Sequence, residues 1–203
     1  MKLYSADRAP NPWRVRIFLA EKGIDVPRVE VDLMNGAARS PEFLSRNSLG
    51  EVPVLELDDG RVITESVAIC RYIEALNPVP RLFGADPMDQ ATVEMWTRRM
   101  ELHLAGAAAN VALHTFPFFA EKVEQMPEFA ATQRRALAKK WAWLDGELAD
   151  SRPYLAGDRF SIADITGMLA LKVGDIVEAP VADDLGHVKR WETAVRARPS
   201  WNA

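Results

Sequence analysis

The chain opens on a short apolar run, KLYS at residues 2–5, whose length suits a strand. The next apolar positions, Val15, Phe18, Leu19 and the aliphatic stem of Lys22, recur at helical spacing on one face. End signals bracket that helix. Asn11 reads as its N-cap, Pro12 as its first residue and Gly23 as the residue just past its last turn. The stretch VPRVEVDL (26–33) alternates as a strand does, and residues 41–46 follow Ser40 as a short helical turn. VPVLELDDGRVITES (52–66) then reads as two β-rich runs folding back around DDG. SVAICRYIEALN (66–77) is a second helix, which Pro78 ends. The order is β-α-β followed by β-β-α.

The segment NPVPRLFGADP (77–87) carries three prolines and a glycine, and beyond it the period changes. The remainder reads as helix, over about 88–115, 128–150, 162–179 and 184–197. Strands with helices and then helices alone predict an α/β domain followed by an all-α one, with the boundary near residue 80: residues 1–80 and 87–203.

Composition narrows the partners. The 203 residues are 48% hydrophobic and 27% charged, as in ordinary globular proteins. A net charge of -4 leaves no basic footprint for nucleic acid or an anionic membrane. The start, MKLYSADR, lacks the apolar core of a signal peptide, and no apolar run is long enough to span a bilayer. With a single cysteine, Cys70, there is no internal disulfide, and a reducing cytoplasmic setting is expected. Three scattered histidines, His103, His114 and His187, and one cysteine make no zinc set, so no metal is expected.

Three stretches carry candidate chemistry. In LGEVPVLELDDGRVITES, Val52-Pro53 stands at a strand entry, where proline is tolerated and a cis peptide is accessible. A cis bond there turns the Val52 backbone groups outward, toward a peptide-like ligand. Glu65-Ser66 begins the following helix: Ser66 and the adjacent N–H groups suit a carboxylate, and Glu65 suits an ammonium. Both charges close together fit the α-amino acid end of a ligand. In FSIADI, Ser161 and Asp164 have capping-box spacing at the head of an apolar helix.

In order and spacing these stretches resemble the glutathione S-transferase family. The likeness runs through RVRIFLAEKGI, NSLGEVPVLELDDGRVITESVAICRYI, the helical second half and YLAGDRFSIADI, nearly the whole chain. It implies an N-terminal thioredoxin-like domain that binds glutathione as co-substrate. It also implies a C-terminal all-helical domain that supplies most of the acceptor site, and a homodimer. In the family the proline matching Pro53 is cis, the residue matching Val52 pairs with the cysteine of glutathione, and the pair matching Glu65-Ser66 holds the γ-glutamyl end. Arg39 falls near the family's basic residue for the glycine carboxylate. Glu51 stands where many relatives have Gln, Lys or Arg, and its charge opposes that of the carboxylate.

Relatives lower the pKa of the glutathione thiol, making the thiolate nucleophile available at neutral pH. Tyrosine-type members place a hydroxyl where this chain has Ser5. Serine- and cysteine-type members place their activating side chain where it has Ala9, which donates nothing. APNPWRV instead resembles the TPNG loop of the Nu-class and yeast prion-related branch, in which an asparagine faces the sulfur. Asn11 matches that asparagine, and either its amide reaches the sulfur or it only caps the helix. Trp13, Arg99, His114 and Phe118 are candidates for the acceptor site, the last two within HTFPFF (114–119). Cys70, among Val67, Ile69 and Ile73, reads as an inert core residue. The resemblance implies conjugation of glutathione to a small hydrophobic electrophile. Glutathione-dependent reduction of a disulfide or peroxide and a non-catalytic binding role stay open beside it.

Overall fold

The computed structural model describes residues 1–203. The chain divides into two compact units, residues 1–81 with the final two residues, and residues 82–201.

The first unit carries β1 (Lys2–Ser5), α1 (Pro10–Lys22), β2 (Arg28–Glu30), a 3-10 turn (Ala37–Arg39), α2 (Pro41–Arg46), β3 (Val54–Glu56), β4 (Val62–Ile63) and α3 (Ser66–Leu76). Its four strands lie in the order β2-β1-β3-β4. β1 and β2 are parallel, joined through α1, whereas β3 and β4 pair antiparallel. This is the thioredoxin-like sheet that the family resemblance implies. Apolar side chains cover it on both faces. α1 packs on α3, contributing Val15, Ile17 and Phe18, all fully buried. Tyr4, Phe43, Val52 and Val54 fill a second cluster, in which the Tyr4 and Phe43 rings meet edge to face at 6.0 Å.

Three details of this unit differ from expectation. α1 starts at Pro10 with Ala9 as its N-cap, so Asn11 lies inside the first turn and caps nothing. Pro10 sets the helical φ two residues earlier than Pro12 would. The alternating segment 26–33 contributes only three strand residues, all exposed, at the sheet edge. Arg28 and Glu30 put charges there, which discourages pairing with another chain. Lys22 buries its whole side chain, with its ammonium on Glu74 and the Asn77 carbonyl, so it ties α1 to α3 through charge as well as stem.

The second unit is helical: α4 (Pro87–Arg99), a π-helical segment (Met100–Ala105), α5 (Gly106–Leu113), α6 (Pro127–Glu147), α7 (Ile162–Ile176) and α8 (Gly186–Arg196). The predicted helix over 88–115 is thus one run interrupted by a wider turn. α7 forms the centre, with every residue from Ile162 to Leu171 buried. Gly167 is needed there, because a Cβ would lie 2.6 Å from the Trp191 ring. At the head of α7 the Asp164 carboxylate is completely buried and accepts four bonds. Its donors are Leu155 N–H (2.9 Å), Trp191 Nε1–H (2.9 Å), Ser161 N–H (2.9 Å) and the Ser161 hydroxyl (3.1 Å). The expected capping box is present, and it also fastens α8 through Trp191. Burial pushes the Asp164 pKa upward against these bonds. No helix is long and apolar enough to cross a membrane.

Candidate functional site

The loop from β1 to α1 is held from beneath by Arg16. Its guanidinium, 7% exposed, donates to the Ser5 hydroxyl (3.1 Å) and to the carbonyls of Ala6 (3.4 Å) and Asp7 (3.1 Å). Ser5, the alternative candidate for thiol activation, is itself 1% exposed. Its hydroxyl is turned into the protein, engaged by a cation, and offers nothing at the surface.

Asn11 is placed otherwise. It is exposed, the second residue of α1, and no hydrogen bond within the chain occupies its amide. The helix around it is unusual in what it lacks. An ordinary α-helix leaves its first N–H groups free, but Pro10 and Pro12 have none, and Trp13 N–H is already bonded to the Ala9 carbonyl at 3.3 Å. Ala9 N–H is spent on the Ala6 carbonyl at 3.1 Å. The start of α1 therefore presents one backbone N–H, that of Asn11, beside the Asn11 amide. The potential donors to an anion converge on one residue.

The second element is the turn before β3. The Asn47 amide donates to the Glu51 carbonyl (2.8 Å) and accepts from Leu49 N–H (3.2 Å), shaping residues 47–51. Arg39 donates to the Leu49 carbonyl (3.0 Å) from the 3-10 turn, while the rest of its side chain stays exposed. Gly50 (φ +63) brings these pieces together, since a Cβ there would meet the Ala38 carbonyl at 2.8 Å. The turn delivers the chain to Val52-Pro53, whose peptide bond is cis, the isomer the resemblance implies. Glu51 remains exposed.

The third element begins α3. Glu65, exposed, is the N-cap and has φ +64, a left-handed conformation that costs a non-glycine residue about 1–3 kcal/mol. Its side chain caps nothing, so the first N–H groups of α3 have no side-chain acceptor. Ser66 is 5% exposed, and its Oγ accepts from Arg14 Nη1 at 2.7 Å. An anion-accepting helix start and an uncommitted carboxylate thus occupy consecutive residues.

Arg14 and Arg16 are not among the residues the motifs single out, yet they bond two that are, Ser66 and Ser5. Arg14 stands four residues before Phe18, at the spacing of the apolar face. A charged residue on that face of a core helix is the sign that it serves a buried partner.

Two of the acceptor-side candidates, Trp13 and Arg99, are taken up elsewhere. Trp13, expected as a wall, is 1% exposed and has no face to give a ligand. Arg99 is held by neighbours within the second unit. It lies over the Trp96 ring at 4.8 Å and pairs with Glu147 at 3.5 Å. His114 Nδ1 accepts from Met126 N–H (3.1 Å), and its ring meets Phe129 edge to face at 5.1 Å. Phe118 is half-buried against Phe119, 4.9 Å between ring centres. Cys70 is fully buried, and burial pushes its thiol up to about 12, so no protein thiolate forms near neutral pH.

Comparison with known proteins bears on the whole chain. Residues 1–75 match the family described as glutathione S-transferase, N-terminal domain, and residues 108–199 match glutathione S-transferase, C-terminal domain. Glutathione S-transferase 2 of Saccharomyces cerevisiae is 38% identical, over 98% of this chain and 87% of the yeast protein. Among solved structures, a glutathione S-transferase domain-containing protein of Marinobacter aquaeolei superposes with a TM-score of 0.93 at 37% identity, covering 99% of this chain and all of that one. Gtt2 of Saccharomyces cerevisiae superposes with a TM-score of 0.91 at 38% identity, covering 99% of this chain and 98% of Gtt2.

Proposed function

This chain belongs to the glutathione S-transferase family and is a glutathione transferase, and on that premise we propose that Asn11 stabilises the thiolate of a glutathione bound along the first unit. Glu65 takes the γ-glutamyl ammonium, and Ser66 with the first N–H groups of α3 takes its carboxylate. The backbone of Val52, beside Pro53, pairs with the cysteinyl part. Arg39 serves the glycine carboxylate, its guanidinium steadied on the Leu49 carbonyl.

The observation that carries the reading is the convergence of donors on Asn11. The thiol loses its proton to solvent, and the sulfur then sits as an anion against the Asn11 amide and backbone N–H. Its electron pair forms a bond to the electrophilic carbon of a small hydrophobic substrate, and either a leaving group departs with its bonding pair or an activated double bond takes up the displaced pair and then a proton from solvent. Neutral donors lower a thiol pKa less than a cation does, so the thiolate is favoured modestly. The half-buried aromatic segment around His114 and Phe118 is the acceptor-side candidate in the second unit. The exposure of Asn11 argues against a purely non-catalytic role, and the buried Cys70 leaves any disulfide or peroxide reduction to a second glutathione.

Calorimetry of glutathione binding tests the assignment, with turnover of an activated aryl halide alongside. Ser66→Ala should weaken binding by about 1.5–3 kcal/mol, the worth of a hydrogen bond to a charged group. No binding by the parent protein overturns the reading. Oxidised glutathione formed when a disulfide or peroxide is supplied as the oxidant, with no conjugation of the aryl halide, replaces conjugation with reduction.

A further inference from the structure

Ser66 does not meet its ligand alone. Directly behind it lies a guanidinium that is 3% exposed, with Arg14 Nη1 at 2.7 Å from Ser66 Oγ. Arginine carries five N–H donors and no acceptor, so in this pair the serine oxygen can only accept. A serine hydroxyl has one hydrogen, and it cannot point toward Arg14. We infer that Arg14 is a positioning residue that fixes Ser66 as an outward donor and thereby selects a carboxylate, in a set orientation, at the start of α3. The inference rests on the assignment of Ser66 to the γ-glutamyl carboxylate.

The consequences follow from ordinary electrostatics. A hydroxyl that accepts from a cation becomes a stronger donor, because the two bonds polarise one another. Arg14 stays protonated even when desolvated, so its charge persists behind the hydroxyl at every working pH. The positive side of the site is therefore assembled from Arg14, Ser66 and the uncapped N–H groups of α3, and the negative side from Glu65. A zwitterionic α-amino acid end fits that pattern one way round. Reversing it sets the ammonium against the helix start and Arg14, and the carboxylate against Glu65.

A double-mutant cycle separates this role from a merely structural one. Glutathione affinity and steady-state constants are measured for the parent, Ser66→Ala, Arg14→Met, the double variant and Arg14→Lys, each first checked for cooperative unfolding. If Arg14→Met does not fold, Arg14→Gln takes its place in the cycle. Each single variant should bind glutathione about tenfold more weakly, and the double variant about tenfold also, since Arg14 acts through Ser66. The loss should appear in KM for glutathione, with kcat little changed. Arg14→Lys, which keeps the charge and the donor, should recover most of the affinity. The parent should prefer glutathione over its γ-glutamyl α-carboxamide analogue, and that preference should fall in Arg14→Met but persist in Arg14→Lys. Additive losses, about a hundredfold in the double variant, overturn the inference, as does unchanged analogue preference in Arg14→Met. Absence of glutathione binding by the parent is a different failure, that of the binding assignment itself.

Discussion

Replacing Asn11 by alanine tests how the thiolate is made. The substitution leaves the helix start intact, because Ala9 is the N-cap and the Asn11 amide bonds nothing within the chain. It leaves the backbone N–H of residue 11 in place as well. What it removes is one side-chain donor to an anionic sulfur. Hydrogen bonds to charged groups are worth about 1.5–3 kcal/mol, which raises the pKa of bound glutathione by about one to two units. At neutral pH, turnover should fall about ten- to a hundredfold. The deficit should shrink as pH rises, since hydroxide then makes the thiolate that the protein no longer favours. Glutathione affinity should change little, because the peptide is held elsewhere. The assay is the pH–rate profile together with ultraviolet absorbance of the bound thiolate. Pro10→Ala is a perturbation of opposite sign: it adds an N–H to the helix start and should move the basic limb toward lower pH. Ser5→Ala should move nothing, its hydroxyl being buried and turned toward Arg16. An unchanged limb in Asn11→Ala, or a shift of it in Ser5→Ala, refutes the reasoning.

Two further outcomes follow from the scaffold. Asp164→Ala leaves buried donors from Leu155, Trp191 and Ser161 without an acceptor, offset in part by removal of a desolvated carboxylate. At about 1–3 kcal/mol for each donor left unsatisfied, the expected loss after that offset is about 3–5 kcal/mol, well above the ~0.5–2 of a helix cap alone, and urea unfolding that finds only the smaller value overturns the fourfold acceptor role. Glu56 bonds Lys2, Arg46 and the Tyr4 hydroxyl, which hold its carboxyl at about 2, down from 4.5. A depressed carboxylate contributes stability that is present above its unfolded pKa and lost as pH falls through the folded one. Glu56→Gln should therefore flatten the pH dependence of stability between about 4.5 and 2, and a slope equal to that of the parent counts against the network.

Much of the fold was legible because each element announced itself by period and punctuation together. The hairpin around Asp59-Gly60 had β-rich runs on both sides, and α3 ran cleanly from Ser66 to the Asn77-Pro78 stop. The capping box at Ser161 and Asp164 was visible as spacing alone. What spacing could not convey was that the same carboxylate would receive Trp191 from 27 positions onward, because that bond exists only after α7 and α8 have packed. The β2 segment shows the converse limit. Its alternation was real, with Val26 and Val31 buried at its ends, yet an edge strand pairs on one side only and the ladder closed over three residues.

The start of α1 misled for a local reason that bears on the chemistry. Two prolines two residues apart are each acceptable at a helix start, and Asn before Pro12 has the look of a cap. Because the helix begins at the first proline, the asparagine is drawn inside it and its amide is released from capping. The same shift strips the first turn of two N–H groups, so the general anion affinity of a helix start is reduced as the particular role of Asn11 is enlarged. Arg14 and Arg16 belong to the same argument. One helix turns one guanidinium under Ser66 and the other under the β1–α1 loop, both buried. Read along the chain they are two charges in a polar-looking stretch, WRVR. Read through the fold, they are the groups that fix the donor at one end of the proposed glutathione site and the loop that carries Asn11 at the other.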